Sequence, residues 1–197
     1  MHTSDDPGQR SQESHNRQTS FSPTQPAVPM SVLVTYLEML EPPSGAPRPA
    51  PPGTLVMEAE RPTVGFYRYL YNAVGAPWRW YERNRLSDAD LAAIVQDPAV
   101  AVHVLYHHGT PAGYAEFDRR RPPDVQLAYF GLIPEFIGQG LGGFFLDWAV
   151  RAAWQYQPAR VWVHTCTLDH PRALHLYERA GFVGYREEEA PDPPDPD

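Results

Sequence analysis

Residues 130–154, FGLIPEFIGQGLGGFFLDWAVRAAW, hold the pattern that decides the fold of this chain. An apolar run over 125–133 predicts a strand that Pro134 ends, and glycines follow at positions 138, 140, 142 and 143. Apolar side chains then recur at helical spacing, at Leu141, Phe144, Phe145, Trp148, Ala149 and Ala152. The stretch therefore predicts a strand, a glycine loop and an amphipathic helix.

The glycine loop has the features of a backbone anion site. Glycine lets the main chain approach a ligand closely, and the first N–H groups of a helix have no partners inside the helix. Such a site suits a chain whose 16 basic residues are all arginine and whose net charge is −8. A flexible glycine turn is the alternative, because the loop lacks the GK[ST] ending of a P-loop and the acidic ribose ligand of a Rossmann fold.

A second motif lies about thirty residues further on, at 170–182, HPRALHLYERAGF. It follows a short predicted strand over 161–167. Pro171 occupies the first position of a predicted helix, and Gly181 closes that helix before a final strand over 182–186. The helix directs Ala173, Leu174, Leu176 and Tyr177 inward.

These two motifs at this spacing resemble the GNAT acyltransferase superfamily. The family's loop is commonly written [QR]-x-x-G-x-[GA], and its later helix commonly reads N-x-x-A-x-x-L-Y-x-x-x-G-F. The resemblance implies an α/β fold of the mixed α+β kind, with a mostly antiparallel central sheet that is flanked by helices and splayed at the cofactor site. The order of strands and helices extends the resemblance over 31–189, whereas the specific motifs cover only 126–182.

The resemblance also implies the activity and its residues. It implies an N-acetyltransferase that uses acetyl-CoA as cosubstrate, needs no metal, and lets an amine attack the thioester directly. The backbone of Phe130 and Leu132 would pair with the pantetheine arm, and Tyr177 matches the tyrosine that protonates the departing thiolate in many members. The pyrophosphate would lie on Gly138, Gln139, Gly140, Leu141, Gly142 and Gly143. The thioester carbonyl would lie near a splay of the strands at 131–133.

Three positions depart from the family pattern. Ile137 replaces a polar loop residue, and His170 replaces the usual asparagine near the cofactor. Gln126 stands where related sequences often offer a carboxylate base, and glutamine does not take up a proton at working pH. Glu116 is therefore the first candidate for the general base, with a solvated or ion-paired strand carboxylate as the alternative.

The acceptor site is predicted from aromatic residues and one histidine. Residues 66–85, FYRYLYNAVGAPWRWYERNR, hold six Tyr or Trp residues, of which Trp78 and Trp80 are the best candidates for contact with an amine. His164 alternates with Trp162 and Cys166 on one strand face, and is a candidate base or substrate contact. For all of these side chains, packing in the core is the alternative. The acceptor stays open among small amines, amino acids, peptide amines and aminoglycosides.

A different class of function is also consistent with the sequence. A degenerate acyl-CoA sensor would keep the glycine loop but lack an effective base, and Gln126 favours this reading. An adaptor acting through its terminal segments is a weaker alternative, because it would not need the loop.

Composition sets the domain boundaries and limits the partners. Residues 1–30 are polar and proline-rich and are predicted to be a disordered tail, as is the acidic end over 190–197, which leaves one domain over 31–189. The sequence has no basic stripe, so binding to nucleic acid or to an anionic membrane is not predicted. The single cysteine and the lack of a signal-peptide pattern predict a cytoplasmic protein, and a homodimer is one of the oligomeric states left open.

Overall fold

The computed structural model of the protein describes residues 31–191. The tail predicted over 1–30 lies outside the described residues, and so do residues 192–197 of the second tail. The elements are β1 (Ser31–Met39), β2 (Thr54–Glu58), α1 (Val64–Gly75), α2 (Asp88–Val95), β3 (Val100–His107), β4 (Thr110–Asp118), β5 (Asp124–Leu132), α3 (Leu141–Trp154), β6 (Arg160–Cys166), α4 (Ala173–Arg179) and β7 (Val183–Pro191).

The strands form one seven-stranded sheet in the order β2-β3-β4-β5-β6-β1-β7. Neighbouring strands are antiparallel except for β5 and β6, which are parallel and pair only over 124–126 and 160–162. On its other side, β5 shifts register against β4 so that Ala128 is an extra residue, a bulge that bends the strand. Beyond the residues paired with β6, residues 127–132 of β5 present an open edge toward β6. The predicted mixed, mostly antiparallel and splayed sheet is confirmed.

The position of β1 was not predicted from the sequence. This strand lies between β6 and β7 and pairs antiparallel with both, so that Val34 is opposite Cys166 on one side and Glu188 on the other. Leu37 and Met39 anchor it in the core. β1 therefore connects β6 and β7, the strands that precede and follow the second motif, within the sheet.

Apolar side chains cover the sheet on both faces. One core cluster contains Leu37, Phe117, Leu127, Phe145, Val161 and Tyr177 and lies under α3 and α4. The other contains Tyr67, Leu70, Tyr71, Leu91, Val102 and Tyr114 and lies under α1 and α2. The open edge of β5 is therefore held between two packed layers.

Local signals place most helix ends. The hydroxyl oxygens of Thr63 and Ser87 accept hydrogen bonds from the first turns of α1 and α2, and α1 ends at Gly75. Two predicted element boundaries differ by two residues or more from those in the structure. α4 begins at Ala173, because Pro171 lies in the preceding turn. β7 continues past residue 186 to Pro191, because its pairing with β1 reaches that residue. No helix in residues 31–191 is both long and apolar enough to cross a membrane.

Candidate active site

The glycine loop ends at the uncapped start of α3. Gly140 precedes the helix with φ of 80°, a left-handed conformation that favours glycine, and no side chain caps the helix. The first turn also carries no acidic residue. At Gly138 and Gly140, the space that a β-carbon would occupy is open. The first N–H groups of α3 thus have no side-chain partner, and their binding of an anion stays a prediction.

A cavity of about 240 Å³ lies beside the open edge of β5. Its wall includes Phe130, Gly131 and Leu132 of β5, Gly142 of α3, and Tyr177 of α4. The predicted pantetheine strand, the glycine loop and the predicted acid therefore surround one space. Leu141 is the exception among the loop residues, because its side chain is fully buried and only its backbone can reach a ligand.

Tyr177 lines this cavity. The ring is 6% exposed and packs edge-on against Phe130 and Phe182, with ring centroids 6.3 Å and 5.9 Å away. Within residues 31–191 the hydroxyl has no hydrogen-bond partner. Burial raises the pKa of Tyr177 above its usual value, and the nearby Asp169 carboxylate adds to the effect. The phenol of Tyr177 is therefore protonated at neutral pH.

A second cavity, of about 600 Å³, opens on the other side of the splay. Its wall includes Glu82, Gln126 and Trp162. It shares Ala128, Tyr129 and His164 with the first cavity, so the two spaces meet where β5 and β6 separate. Two ligands held in these cavities would lie on either side of the same three residues.

Glu116, the predicted base, does not line either of these cavities. Its carboxylate is fully buried, accepts a short hydrogen bond from the Tyr67 hydroxyl, and pairs with Arg83 at 2.5 Å. Burial raises the pKa of Glu116, and the ion pair with Arg83 opposes that rise. The arrangement corresponds to the ion-paired alternative, and the role of Glu116 as a base stays a prediction that this geometry does not favour.

The tryptophans predicted to contact the acceptor lie beside Tyr177 and the glycine loop, and their role at the acceptor stays a prediction. Trp78 and Trp80 both line the 240 Å³ cavity. Trp78 packs edge-on against His170, with ring centroids 5.1 Å apart, and the Trp80 indole N–H donates to Asp169 at 3.2 Å. The two rings thus join the loop after α1 to the loop before α4.

Sequence reasoning missed two carboxylates at the site. Asp169 lines the first cavity, and its Oδ2 accepts hydrogen bonds from the Thr165 hydroxyl and the Cys166 N–H. Glu82 lines the second cavity and accepts a 2.7 Å hydrogen bond from the Tyr129 hydroxyl. An acidic residue directly after a strand, next to His170 of the second motif, was the available signal for Asp169; no signal singled out Glu82 among the charged residues of its loop.

Residues 56–182 match the family model for the acetyltransferase (GNAT) family. The chain belongs to that family. Among the described residues of this GNAT protein, no group of three or more His, Cys, Asp or Glu is placed to hold a metal ion.

Sequence relatives of this GNAT protein include uncharacterised N-acetyltransferases of Mycobacterium tuberculosis and Mycobacterium bovis, 30% identical over 97 residues. The match covers 49% of this chain and 62% of theirs, less than two thirds of the relatives' length. A GCN5-related N-acetyltransferase from Sphaerobacter thermophilus has a similar structure, with 17% identity, a TM-score of 0.58, and coverage of 85% of this chain and 54% of that one. A spermidine/spermine N-acetyltransferase from Vibrio cholerae is also similar, with 20% identity, a TM-score of 0.52, and coverage of 66% of this chain and 80% of that one. At these identities the structures show the fold alone.

Glu116→Gln tests whether this carboxylate is structural. The variant leaves the Arg83 guanidinium, whose side chain is 11% exposed, without its counter-charge. We expect the free energy of unfolding to fall by about 3–5 kcal/mol, because one partner of a buried ion pair is removed. Denaturant unfolding measures this loss, with the exposed Glu60→Gln as control. A variant of unchanged stability but greatly reduced turnover would instead identify Glu116 as the base.

Proposed function

We propose that this GNAT protein is an acetyl-CoA-dependent N-acetyltransferase that transfers the acetyl group directly to an amine. The observation that carries the proposal is the pair of neighbouring cavities that share Ala128, Tyr129 and His164 in their walls, with Tyr177 lining one of them. Direct transfer requires both substrates to lie in contact, and two adjacent cavities that share wall residues at the strand splay support this proposal.

The residues around the first cavity fit acetyl-CoA. The open edge of β5 offers backbone groups at Phe130 and Leu132 to the amides of the pantetheine arm, as an added strand would. The pyrophosphate would accept hydrogen bonds from the uncapped N–H groups at the start of α3, next to Gly138 and Gly140. The thioester would then reach the wall residues that the two cavities share.

The chemistry needs one proton removed and one supplied. The amine nitrogen forms a bond to the thioester carbonyl carbon, the carbon–sulfur bond breaks, and the thiolate leaves with the electron pair. We assign the protonation of that thiolate to the Tyr177 hydroxyl, which is protonated and has no partner among residues 31–191.

We assign the removal of the amine proton to His164, directly or through water. His164 is exposed and lies on the shared wall of both cavities, packed beside Tyr36 with ring centroids 5.7 Å apart. Of the histidines that line these two cavities, His164 lines both, whereas Glu116 is enclosed in its ion pair. Gln126 lines the acceptor side and contributes hydrogen bonds but no base.

The sensor hypothesis keeps one observation in its favour. The two positions at which the family pattern and the strand geometry suggest a carboxylate base are a glutamine, Gln126, and a buried, paired Glu116. A sensor would bind acetyl-CoA through the same loop without turning it over.

The test is steady-state thiol release from acetyl-CoA in the presence of an amine panel. The panel includes polyamines, because a structural neighbour is a spermidine/spermine N-acetyltransferase, together with amino acids, a peptide amine and an aminoglycoside. We expect at least one amine to raise thiol release well above the rate without amine. Tight acetyl-CoA binding with no amine-dependent release would favour the sensor.

A further inference from the structure

A third cavity, of about 830 Å³, lies between α3, α4 and residues 41–48 of the segment that follows β1. It shares Gly138, Gly142, Arg172 and Leu176 with the cavity that contains Tyr177. The glycine loop therefore stands between a narrow apolar space and a wide polar one. A ligand whose apolar arm occupies the first space would extend its phosphates past the loop into the second.

Arg48 lines this cavity from the proline-rich segment that follows β1. The segment runs from Met39 alongside α3, and the Arg48 N–H donates to Asp147 Oδ2 at 2.9 Å. The guanidinium turns toward the start of the helix. Its Nη1 atom lies 3.3 Å from the position that a β-carbon on Gly143 would take.

The placement of Arg48 is electrostatically unfavourable without an anion. A cation beside the first turn of a helix faces the positive end of the helix dipole. Asp147 does not neutralise it, because that carboxylate pairs with Arg151 at 3.1 Å and receives only the backbone N–H of Arg48.

Two further arginines line the same cavity. Among residues 31–191, the guanidinium groups of Arg48, Arg172 and Arg179 make no ion pair or hydrogen bond. The acidic residues of the wall are Glu41 and the paired Asp147, and His175 lies near Glu178 at 3.7 Å. In a chain of net charge −8, three unpaired arginines on the wall of one cavity form a local positive field that an anion would relieve.

The backbone around Arg48 is stiffened by its neighbours. Pro47 and Pro49 flank it, and four other prolines lie at positions 42, 43, 51 and 52. Proline fixes φ and restricts the preceding residue, so little conformational entropy is lost when this arginine is held in place. The flanking prolines therefore restrict the backbone conformation of Arg48.

We propose that Arg48 binds a phosphate group of coenzyme A, and that residues 41–48 form the outer wall of its nucleotide site. The inference rests on the proposed function, because it takes CoA as the ligand of the glycine loop. Arg48 would supply the charged contact that the loop lacks at Ile137, where the family pattern has a glutamine or arginine.

Calorimetric titration of Arg48→Gln with CoA, dephospho-CoA and pantetheine tests the proposal. We expect CoA to bind about tenfold more weakly to the variant than to the original protein, the loss of one charge-assisted hydrogen bond, while pantetheine binding is unchanged. An equal loss with dephospho-CoA assigns Arg48 to the pyrophosphate, and a loss confined to CoA assigns it to the 3′-phosphate. Both outcomes support a phosphate contact.

The matched control is Arg61→Gln, which removes the same charge from an exposed position outside the cavity. Equal CoA affinity of the two variants would overturn the role of Arg48, as would a loss that extends to pantetheine. Failure of the unaltered protein to bind CoA at all would instead overturn the proposed function, so the two failures are distinguishable. Unfolding curves of both variants show that the fold is retained.

Discussion

Replacing Tyr177 by phenylalanine is expected to lower turnover by roughly 10²-fold and to leave acetyl-CoA affinity nearly unchanged. The substitution removes one oxygen, and a positioned general acid contributes an effect of this size. The ring contacts with Phe130 and Phe182 remain, so the wall of the cavity keeps its shape. Since the pKa of Tyr177 is raised by burial, the hydroxyl stays protonated in alkaline solution, and we expect its contribution to persist from pH 7 to about 9.

The measurement is steady-state thiol release with the best amine, alongside acetyl-CoA affinity. Tyr69→Phe is the matched control, because Tyr69 is exposed on α1 and lines neither reaction cavity. A Tyr177→Phe variant that turns over within about twofold of the original protein removes the acid role and leaves the tyrosine as a packing residue.

Replacing Gly142 by valine is expected to weaken acetyl-CoA binding by roughly 10²-fold. The new side chain would stand at the first turn of α3, where the pyrophosphate would accept N–H hydrogen bonds, and two charge-assisted hydrogen bonds account for a loss of this size. A β-carbon on Gly142 meets only Leu132 Cδ1, at 3.6 Å, so the helix itself tolerates it. Gly140 is a poorer choice, since its positive φ would add backbone strain to any substitution.

The control is Gly65→Val, which places the same side chain in the first turn of α1, where no atom lies within 4 Å. Isothermal titration with acetyl-CoA measures both variants, and thermal unfolding confirms that both are folded. Unchanged affinity of the Gly142→Val protein would show that acetyl-CoA does not lie on this loop.

Much of the fold was predictable because local patterns encode it. An apolar run ended by Pro134 identified β5, the apolar stripe identified α3, and the glycines with the later tyrosine helix carried the family resemblance. The place of β1 was not predictable in this way, because its partners are more than 120 residues away in sequence. Strand pairing over that distance leaves no periodic signal in either segment.

The candidate site, like the fold, was predictable where local sequence patterns encode it and not where it depends on contacts between distant residues. Backbone features of the loop follow from glycine and helix chemistry, so they could be predicted from residue types alone. Glu116 shows the limit: alternation placed it on a strand face, but the Arg83 that pairs with it comes from a loop 33 residues away. The contact of Arg48 with α3 likewise depends on the route of a proline-rich segment across the fold, which composition does not specify.

The measurement that tests direct transfer most directly is mass spectrometry of both protein and amine after incubation with acetyl-CoA. Direct transfer predicts that the acetyl group appears on the amine in step with thiol release, and that protein incubated with acetyl-CoA alone keeps its original mass. Cys166, the single cysteine, is the residue on which an acyl-enzyme would be expected to form. An acetylated protein that passes its acetyl group to a later-added amine, or thiol release that needs no amine, would contradict direct transfer.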